Sequence, residues 1–352
     1  MPVAHARDVS TLLRCPSCHG DLITDGAKIR CVDADCLAGG PGFVNAAGQP
    51  VLVDFSRSLF DLSEFRDARI PDIGSHTTST FGLWRMKLRE TMFGANEAAK
   101  AKCNDLVARL RGRKNATVLV VGGGTIGSGI EALYEQTEVR IVSTDVFPSA
   151  VTTLVSDAHH LPFKDASFDA IWIQAVLEHV LEPEVVVAEL HRVLKDDGLV
   201  YADTPFMQQV HAGAYDFQRF SPSAHRWLFR NFSEIDAGAV GGAGVSLIWS
   251  YRYFLRALGL GNKLSTALAL PFFWLRYLDR FTKRRENLDA ANGVFFFGMK
   301  SQVSLHPKDI VAYYKTSGET RRARAVNAAT GSAATGPAIA TAPTAASIAA
   351  DR

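Results

Sequence analysis

Between residues 116 and 300 short apolar runs alternate with amphipathic stretches, the βαβ rhythm of a mostly parallel sheet. The apolar runs predict strands at Thr117–Val121, Val139–Thr144, Thr153–Ser156, Phe168–Gln174 and Leu199–Asp203, with a later pair at Phe232–Val240 and Gly293–Lys300. Helical spacing falls between them at Ile126–Gln136 and Pro183–Leu194. The second helix opens on Glu182-Pro183 and ends before Asp196-Asp197-Gly198, proline and glycine in their favoured places. The expected fold is α/β, a doubly wound sheet. Its first strand follows another helical stretch, NEAAKAKCNDLVARLRG.

Around this domain the pattern changes. Residues 1–55 carry cysteines, glycines and short apolar runs, and residues 56–115 read as a connector. Residues 301–352 form a C-terminal tail that from about residue 318 is Ala, Thr, Ser and Gly with few charges. Such a composition buries too little apolar surface to offset its ordering entropy, so most of the tail is expected to be disordered.

Composition narrows the function. The chain is 47% hydrophobic and 21% charged, as globular proteins are, and its net charge of +2 provides no broad basic field for nucleic acid. The first residues lack an apolar signal core, and no run reaches the ~18 apolar residues of a membrane span. A cytoplasmic, reducing location is therefore expected, where clustered cysteines point to metal rather than disulfides.

Four of the five cysteines form such a cluster: Cys15-Pro-Ser-Cys18, then Cys31 and Cys36. Two close pairs can grip a tetrahedral ion from opposite sides, and four thiolates close a zinc site without an open position. The zinc would be structural. The wider Cys31–Cys36 spacing leaves His19 as a substitute ligand, and Cys103 stands apart on a helix. The segment from Leu12 through Gly48-Gln49-Pro50-Val51-Leu52 resembles the zinc-ribbon module found ahead of, or partnered with, many methyltransferases.

In VLVVGGGTIGSG a buried strand breaks into glycines, which let the backbone turn sharply and approach a ligand closely. A helix N-terminus just after them would favour an anionic group. Gly122, Gly124 and Gly127 fit G-x-G-x-x-G, a pattern shared with dinucleotide binders, and Asp145, at the end of the next strand, suits ribose hydroxyls in either class. The next stretch separates them. Asp157 ends the third strand, and Leu161-Pro162-Phe163 leads to Ser167-Phe168-Asp169 and then Leu177-Glu178-His179.

This stretch, with AELHRVLKDDGLVYADTPF after it, resembles the class I S-adenosylmethionine-dependent methyltransferases typified by the quinone-biosynthesis enzymes, from Val118 to about Phe206. The resemblance implies a Rossmann-like sheet and S-adenosylmethionine as cofactor. Gly122, Gly123 and Gly124 would cradle its methionine end. Asp145 would hold the ribose, Asp157 and the backbone of Ala158 the adenine, and Gln174 would sit at the methionine or adenine edge. One position departs from the pattern: Val120 stands where the family usually carries an acid that orients the cofactor's amino group. Another residue must then take that role, or affinity falls. His159, His160 and His179 read as loop-shaping or helix-capping residues rather than catalysts.

The acceptor side is expected after the fifth strand, at the ligand edge of such a sheet. There His211, Asp216 and Arg219 are candidates to meet a polar acceptor, with Tyr215, Phe217 and Phe220 as walls. The run resembles a subgroup of these methyltransferases associated with surface-polysaccharide and small-metabolite pathways. His211 is the candidate catalytic residue, since a hydroxyl acceptor needs a base. The expected reaction is methyl transfer to oxygen of a small-molecule, glycan-type or lipid-like acceptor. Two rivals stand beside it. One is an rRNA or tRNA base methyltransferase, disfavoured because residues 15–55 hold only Lys28 and Arg30 as cations. The other is a non-catalytic scaffold with the same fold, disfavoured by intact Asp145 and Asp157.

Residues 241–291 are an insertion between the last two strands. From Arg252 to Arg285 it holds eight Lys or Arg and one Asp, a local charge of +7, around the twelve-residue apolar core Leu264–Leu275. That core is too short to span a bilayer. It suits either peripheral contact with an anionic membrane, or cover for a lipid-like acceptor, or a plain helical cap or dimer surface.

Overall fold

The computed structural model describes residues 3–25, 28–36, 40, 42–66, 92–282 and 284–316. Most of the connector between 67 and 91, Lys283, and the tail from residue 317 lie outside the described residues.

Two small hairpins come first. In one, β1 (Leu22–Asp25) pairs with β2 (Lys28–Cys31); in the other, β3 (Asn45–Ala46) pairs with β4 (Gln49–Pro50). The large sheet contains β5 (Thr117–Val121), β6 (Arg140–Asp145), β7 (Leu154–Val155), β8 (Phe168–Gln174), β9 (Leu194–Pro205), β10 (Phe232–Gly241) and β11 (Gly293–Lys300). Its order is β10-β11-β9-β8-β5-β6-β7. The strands from β9 to β7 run parallel, and β11 lies antiparallel between β9 and β10. This is a doubly wound, Rossmann-like sheet. Every residue of β5 is buried, as a central parallel strand covered on both faces requires.

Helices α1 (Glu97–Leu110), α2 (Glu131–Tyr134), α3 (Pro183–Val193) and α4 (Pro222–Leu228) flank the sheet, and α5 (Ala243–Ala257), α6 (Asn262–Ala269) and α7 (Leu275–Leu278) build most of the insertion. One core cluster joins Leu119, Ile171 and Val200 to the inner face of α3, and another joins Val118, Trp172 and Tyr201 to α1.

Two expectations are corrected. The helix expected at Ile126–Gln136 shrinks to α2, because Gly129 holds a φ of +96° and packs so tightly on α1 that a Cβ would lie 2.6 Å from the Lys100 nitrogen. Residues 122–130 are therefore a loop, and no helix N-terminus stands directly behind the glycines. The fifth strand is also longer than expected: β9 starts at Leu194, with residues 195–198 bulging between the pairs Phe168–Leu194 and Ala170–Leu199.

The cysteine-rich segment extends the same core. Leu13 bridges Phe163, and Val51 bridges Val155 beside β7. Val9, Cys15, Cys31, Phe43 and Leu52 are buried in one cluster with β5, β8 and α3. The Gln49 side chain fastens the β3–β4 hairpin by donating to the carbonyls of Ser149 and Thr152 at 2.6 and 2.5 Å.

Candidate active site

β5 ends at Val121, and Gly122, with a φ of +72°, starts the turn away from the sheet. Gly124 then passes so close to Asp145 that a Cβ would stand 2.7 Å from Oδ2. Its N–H donates to that oxygen at 2.7 Å, and the Phe147 N–H donates to Oδ1 at 3.3 Å. Burial raises the Asp145 pKa, and these backbone donors partly offset the rise. Gly123 is equally tight, over Ser143.

Asp157 follows β7 and is more fully partnered. Ser58 donates to Oδ2 at 2.6 Å, and Oδ1 meets the His159 N–H at 3.0 Å and Nδ1 at 2.6 Å. Burial pushes its carboxyl up, but the hydrogen bonds from His159 and Ser58 win and hold it below the usual range. Asp157 caps the short turn Ala158–His160, and His159 within it shapes the loop by bonding back to that carboxylate. Ala158, the next residue, is buried. Beside these acids Phe60 lies edge-on to Phe147 at 6.3 Å and stacks on Tyr215 at 6.1 Å, so three segments distant in sequence share one aromatic wall. Gln174 ends β8 and ties down the glycine loop by donating to the Ser128 carbonyl at 3.2 Å.

Val120 is buried among apolar neighbours. The buried acid on this side of the sheet is Asp203 at the end of β9, bonded by Asn96, Tyr201 and the Ala175 N–H. Burial lifts its pKa to about 6 despite those donors.

The loop after β9 reorders the acceptor-side candidates. Arg219 donates to both carboxylate oxygens of Asp216 and to the carbonyls of Gln208, Gln209 and Gln218. Those bonds commit the guanidinium to holding the loop together. Asp216 also accepts from the His211 N–H at 2.8 Å, and its pKa falls to about 2, because these hydrogen bonds outweigh its burial. Arg219 and Asp216 therefore position the loop rather than meet an acceptor.

What they position is His211. Its Nδ1 lies 3.3 Å from Asp216, and its Nε2 points to Glu178 at 3.9 Å. Burial lowers the His211 pKa, with Asp216 opposing. His179 approaches the same Glu178 oxygen with Nε2 at 3.6 Å, while its Nδ1 sits 2.6 Å from the Tyr215 carbonyl. Glu178 is fully buried, and neither carboxylate oxygen has a hydrogen-bond partner among the described residues. Burial raises its pKa to about 8. A pocket of about 500 Å³ opens alongside, lined by residues 208–210, 216–219 and Tyr253. The insertion braces this loop, since Tyr253 donates to the Val210 carbonyl at 2.9 Å.

The sulfur atoms of Cys15, Cys18, Cys31 and Cys36 all lie within 4.8 Å of one another. Cys15–Cys36 and Cys18–Cys31 are 3.6 and 3.4 Å apart, near the ~3.8 Å that tetrahedral bonds of ~2.3 Å give. The Gly20 N–H donates to Cys18 Sγ at 3.4 Å. His19, at a φ of +62°, is not in this group, because Cys36 completes it. Cys103 is buried on α1, with its thiol on the Ile130 carbonyl.

In the insertion, Ile248 and Ala269 pack with Met92 in a small core of their own. Phe254, Leu258, Leu264, Phe272, Trp274 and Phe281 stay exposed, the last at 76%. Among the described residues no helix is long and apolar enough to cross a membrane.

Sequence reading missed Glu178, Asp203 and Ser58, and assigned His179 only to loop shaping. Glu178 and His179 lie within a stretch already singled out, and adjacent acid and imidazole after a strand end were the available signal. Ser58 gave none.

The parallel sheet and the glycine turn after β5 are those of a Rossmann-like domain. Residues 119–202 match the family described as "Methyltransferase domain", and the chain carries that domain. It is 26% identical over 132 residues to a malonyl-[acyl-carrier protein] O-methyltransferase of Hamiltonella defensa, covering 35% of this chain and 50% of the relative. It is 31% identical over 103 residues to a ubiquinone/menaquinone biosynthesis C-methyltransferase of Rhizobium etli, covering 28% and 36%. The chain thus spans half or less of the curated relatives it matches. Among solved structures, it is similar to a SAM-dependent methyltransferase from Archaeoglobus fulgidus at 12% identity and a TM-score of 0.38, covering 62% of this chain and all of the other.

Proposed function

We propose that the chain transfers a methyl group from S-adenosylmethionine to oxygen of a small-molecule or glycan-type acceptor. The observation that carries this reading is the glycine turn packed on Asp145, with partnered Asp157 at the next strand end. When bound, the cofactor supplies an electrophilic sulfonium methyl. The close approach at Gly123 and Gly124 keeps the turn free of side chains where the methionine end would lie. Asp145 and Asp157 are the acceptors for ribose hydroxyls and the adenine amine, with Ala158 giving its backbone to the adenine and Gln174 holding the loop above.

Methyl transfer of this kind is mainly positioning. The loop tied by Arg219 holds His211, whose Nε2 takes the proton of an acceptor hydroxyl. The names of the two relatives point to oxygen and to carbon, so the choice of oxygen rests on His211. The four cysteines fit one structural zinc, which would fix the segment that carries Ser58 to Asp157. Apolar side chains exposed among the cations of residues 252–285 support peripheral contact with an anionic membrane. Calorimetry tests the main reading: the protein should bind S-adenosylmethionine and its demethylated product but not NAD. Tight NAD binding, or no binding of either sulfur compound, overturns it.

A further inference from the structure

We propose that Glu178, His179 and His211 form a binding site for a divalent transition-metal cation at the acceptor side of the cleft. The three groups bring one carboxylate oxygen and two imidazole nitrogens within 4.8 Å of one another. Their spacing is not that of hydrogen bonds. Nε2 of His179 and Nε2 of His211 stand 3.6 and 3.9 Å from the same Glu178 oxygen. Two ligands bonded at ~2.1 Å to one ion lie roughly 3.0–4.2 Å apart, so both separations are those of ligands sharing a metal.

The protonation pattern agrees. His179 turns Nδ1 to the Tyr215 carbonyl at 2.6 Å, which requires its proton there and leaves a lone pair on Nε2. His211 has Nδ1 3.3 Å from the Asp216 carboxylate, whose charge favours a proton on that nitrogen. A metal-binding histidine characteristically gives its other nitrogen to a carbonyl or carboxylate in this manner. Asp216 is in turn held by Arg219.

The strongest sign is Glu178 itself. A fully buried carboxylate without a hydrogen bond is costly, and buried charges are ordinarily paired or coordinate metals. Both imidazole side chains are 28% exposed, so an ion can arrive from their side. Two histidines and one carboxylate suit a first-row cation such as Mn²⁺ or Fe²⁺ and leave coordination positions open. An acceptor hydroxyl oxygen would be a suitable ligand for one of them. This role rests on the methyl-transfer reading, whereas the existence of the site does not. Nε2 of His211 cannot hold both a cation and a proton, so a filled site turns His211 from proton acceptor into ligand.

The test is Mn²⁺ titration of the protein as isolated, without cofactor, following the electron paramagnetic resonance signal of the free ion. Thiolates are poor ligands for Mn²⁺, so the cysteine cluster stays silent. One Mn²⁺ per chain is expected. Glu178→Gln and His211→Gln should each weaken it at least tenfold, and Cys18→Ser should not. Circular dichroism confirms that each variant is folded, and His211→Gln, at the most exposed residue of the three, serves if Glu178→Gln is not. No Mn²⁺ binding at millimolar concentration overturns the proposal, as does unchanged affinity in a folded His211→Gln. Neither result touches S-adenosylmethionine binding, which calorimetry reads separately.

Discussion

Asp157 and Glu178 are both buried, and each follows a strand of the same sheet, Asp157 after the edge strand β7 and Glu178 after the central strand β8, yet their surroundings are opposite. Asp157 accepts hydrogen bonds from Ser58 and His159 and stays ionised below the usual carboxylate range. The Glu178 carboxylate has no hydrogen-bond partner among the described residues, and burial pushes its pKa up to about 8. On the side proposed for the cofactor, the Asp157 carboxylate is thus balanced by the protein's own groups. The acceptor side holds an unsatisfied acid that a cation or a proton must balance. An arrangement of this kind fixes one ligand in advance and leaves the other side responsive to what enters it.

The largest effect should come from attacking the support of the balanced side. Arg57 donates to the carbonyls of Pro16 and Ser17 in the first cysteine turn, and the next residue, Ser58, holds Asp157. Metal analysis should give one zinc per chain, lost in Cys15→Ser and retained in Cys103→Ser. Removing it with a chelator should cost at least roughly 3 kcal/mol and lower the melting temperature by about 10 °C. S-adenosylmethionine affinity should fall with it. Absence of zinc, with all four thiols freely titratable, would break the link.

Asp203, whose charge also helps to raise the Glu178 pKa, offers a pH test. Its folded pKa, about 6, lies above the ordinary value of 3.8. The folded state therefore keeps a proton that the unfolded chain has lost between those values. Stability is full below about pH 4 and declines as pH rises to about 6, by up to about 3 kcal/mol. Asp203→Asn should lack this slope in denaturant melts across that window. Identical slopes in the two proteins would remove Asp203 as its source.

Next in size are the cofactor carboxylates. Asp145→Ala and Asp157→Ala should each weaken S-adenosylmethionine binding by roughly 1–3 kcal/mol in calorimetry. Glu178→Gln should leave that affinity unchanged. Equal losses in all three variants would erase the distinction between the two sides.

The same contrast explains what the sequence made legible. The glycine turn, Asp145 and Asp157 lie on or beside consecutive strands, so the strand rhythm orders them along the sheet edge. Gly127 and Gly129 sit inside an apolar pattern, Ile126, Ile130 and Leu133, that reads as helix until backbone conformation decides otherwise. The cluster of Glu178, His179 and His211 joins two loops separated by 32 residues. Only the folding of residues 208–219 around Arg219 brings them together, and nothing local encodes that. Ser58 was hidden for the same reason, since its partner lies 99 residues away.

The smallest effect concerns the insertion, which borders the acceptor side through Tyr253. Exposed Phe272, Trp274 and Phe281 lie among Arg276, Arg280 and the cations that follow. If this face rests on an anionic bilayer, each cation near the surface should contribute on the order of 1 kcal/mol. Binding to anionic vesicles should then weaken as salt rises, because exposed charges are screened over ~8–10 Å. Replacing Arg276, Arg280, Lys283, Arg284 and Arg285 with Gln should reduce it further while cofactor affinity holds. A helical cap predicts the reverse: the protein stays in the supernatant at every salt concentration. Co-sedimentation with anionic vesicles at low and high salt separates the two, and wild-type protein left in the supernatant at low salt removes the membrane from the acceptor side.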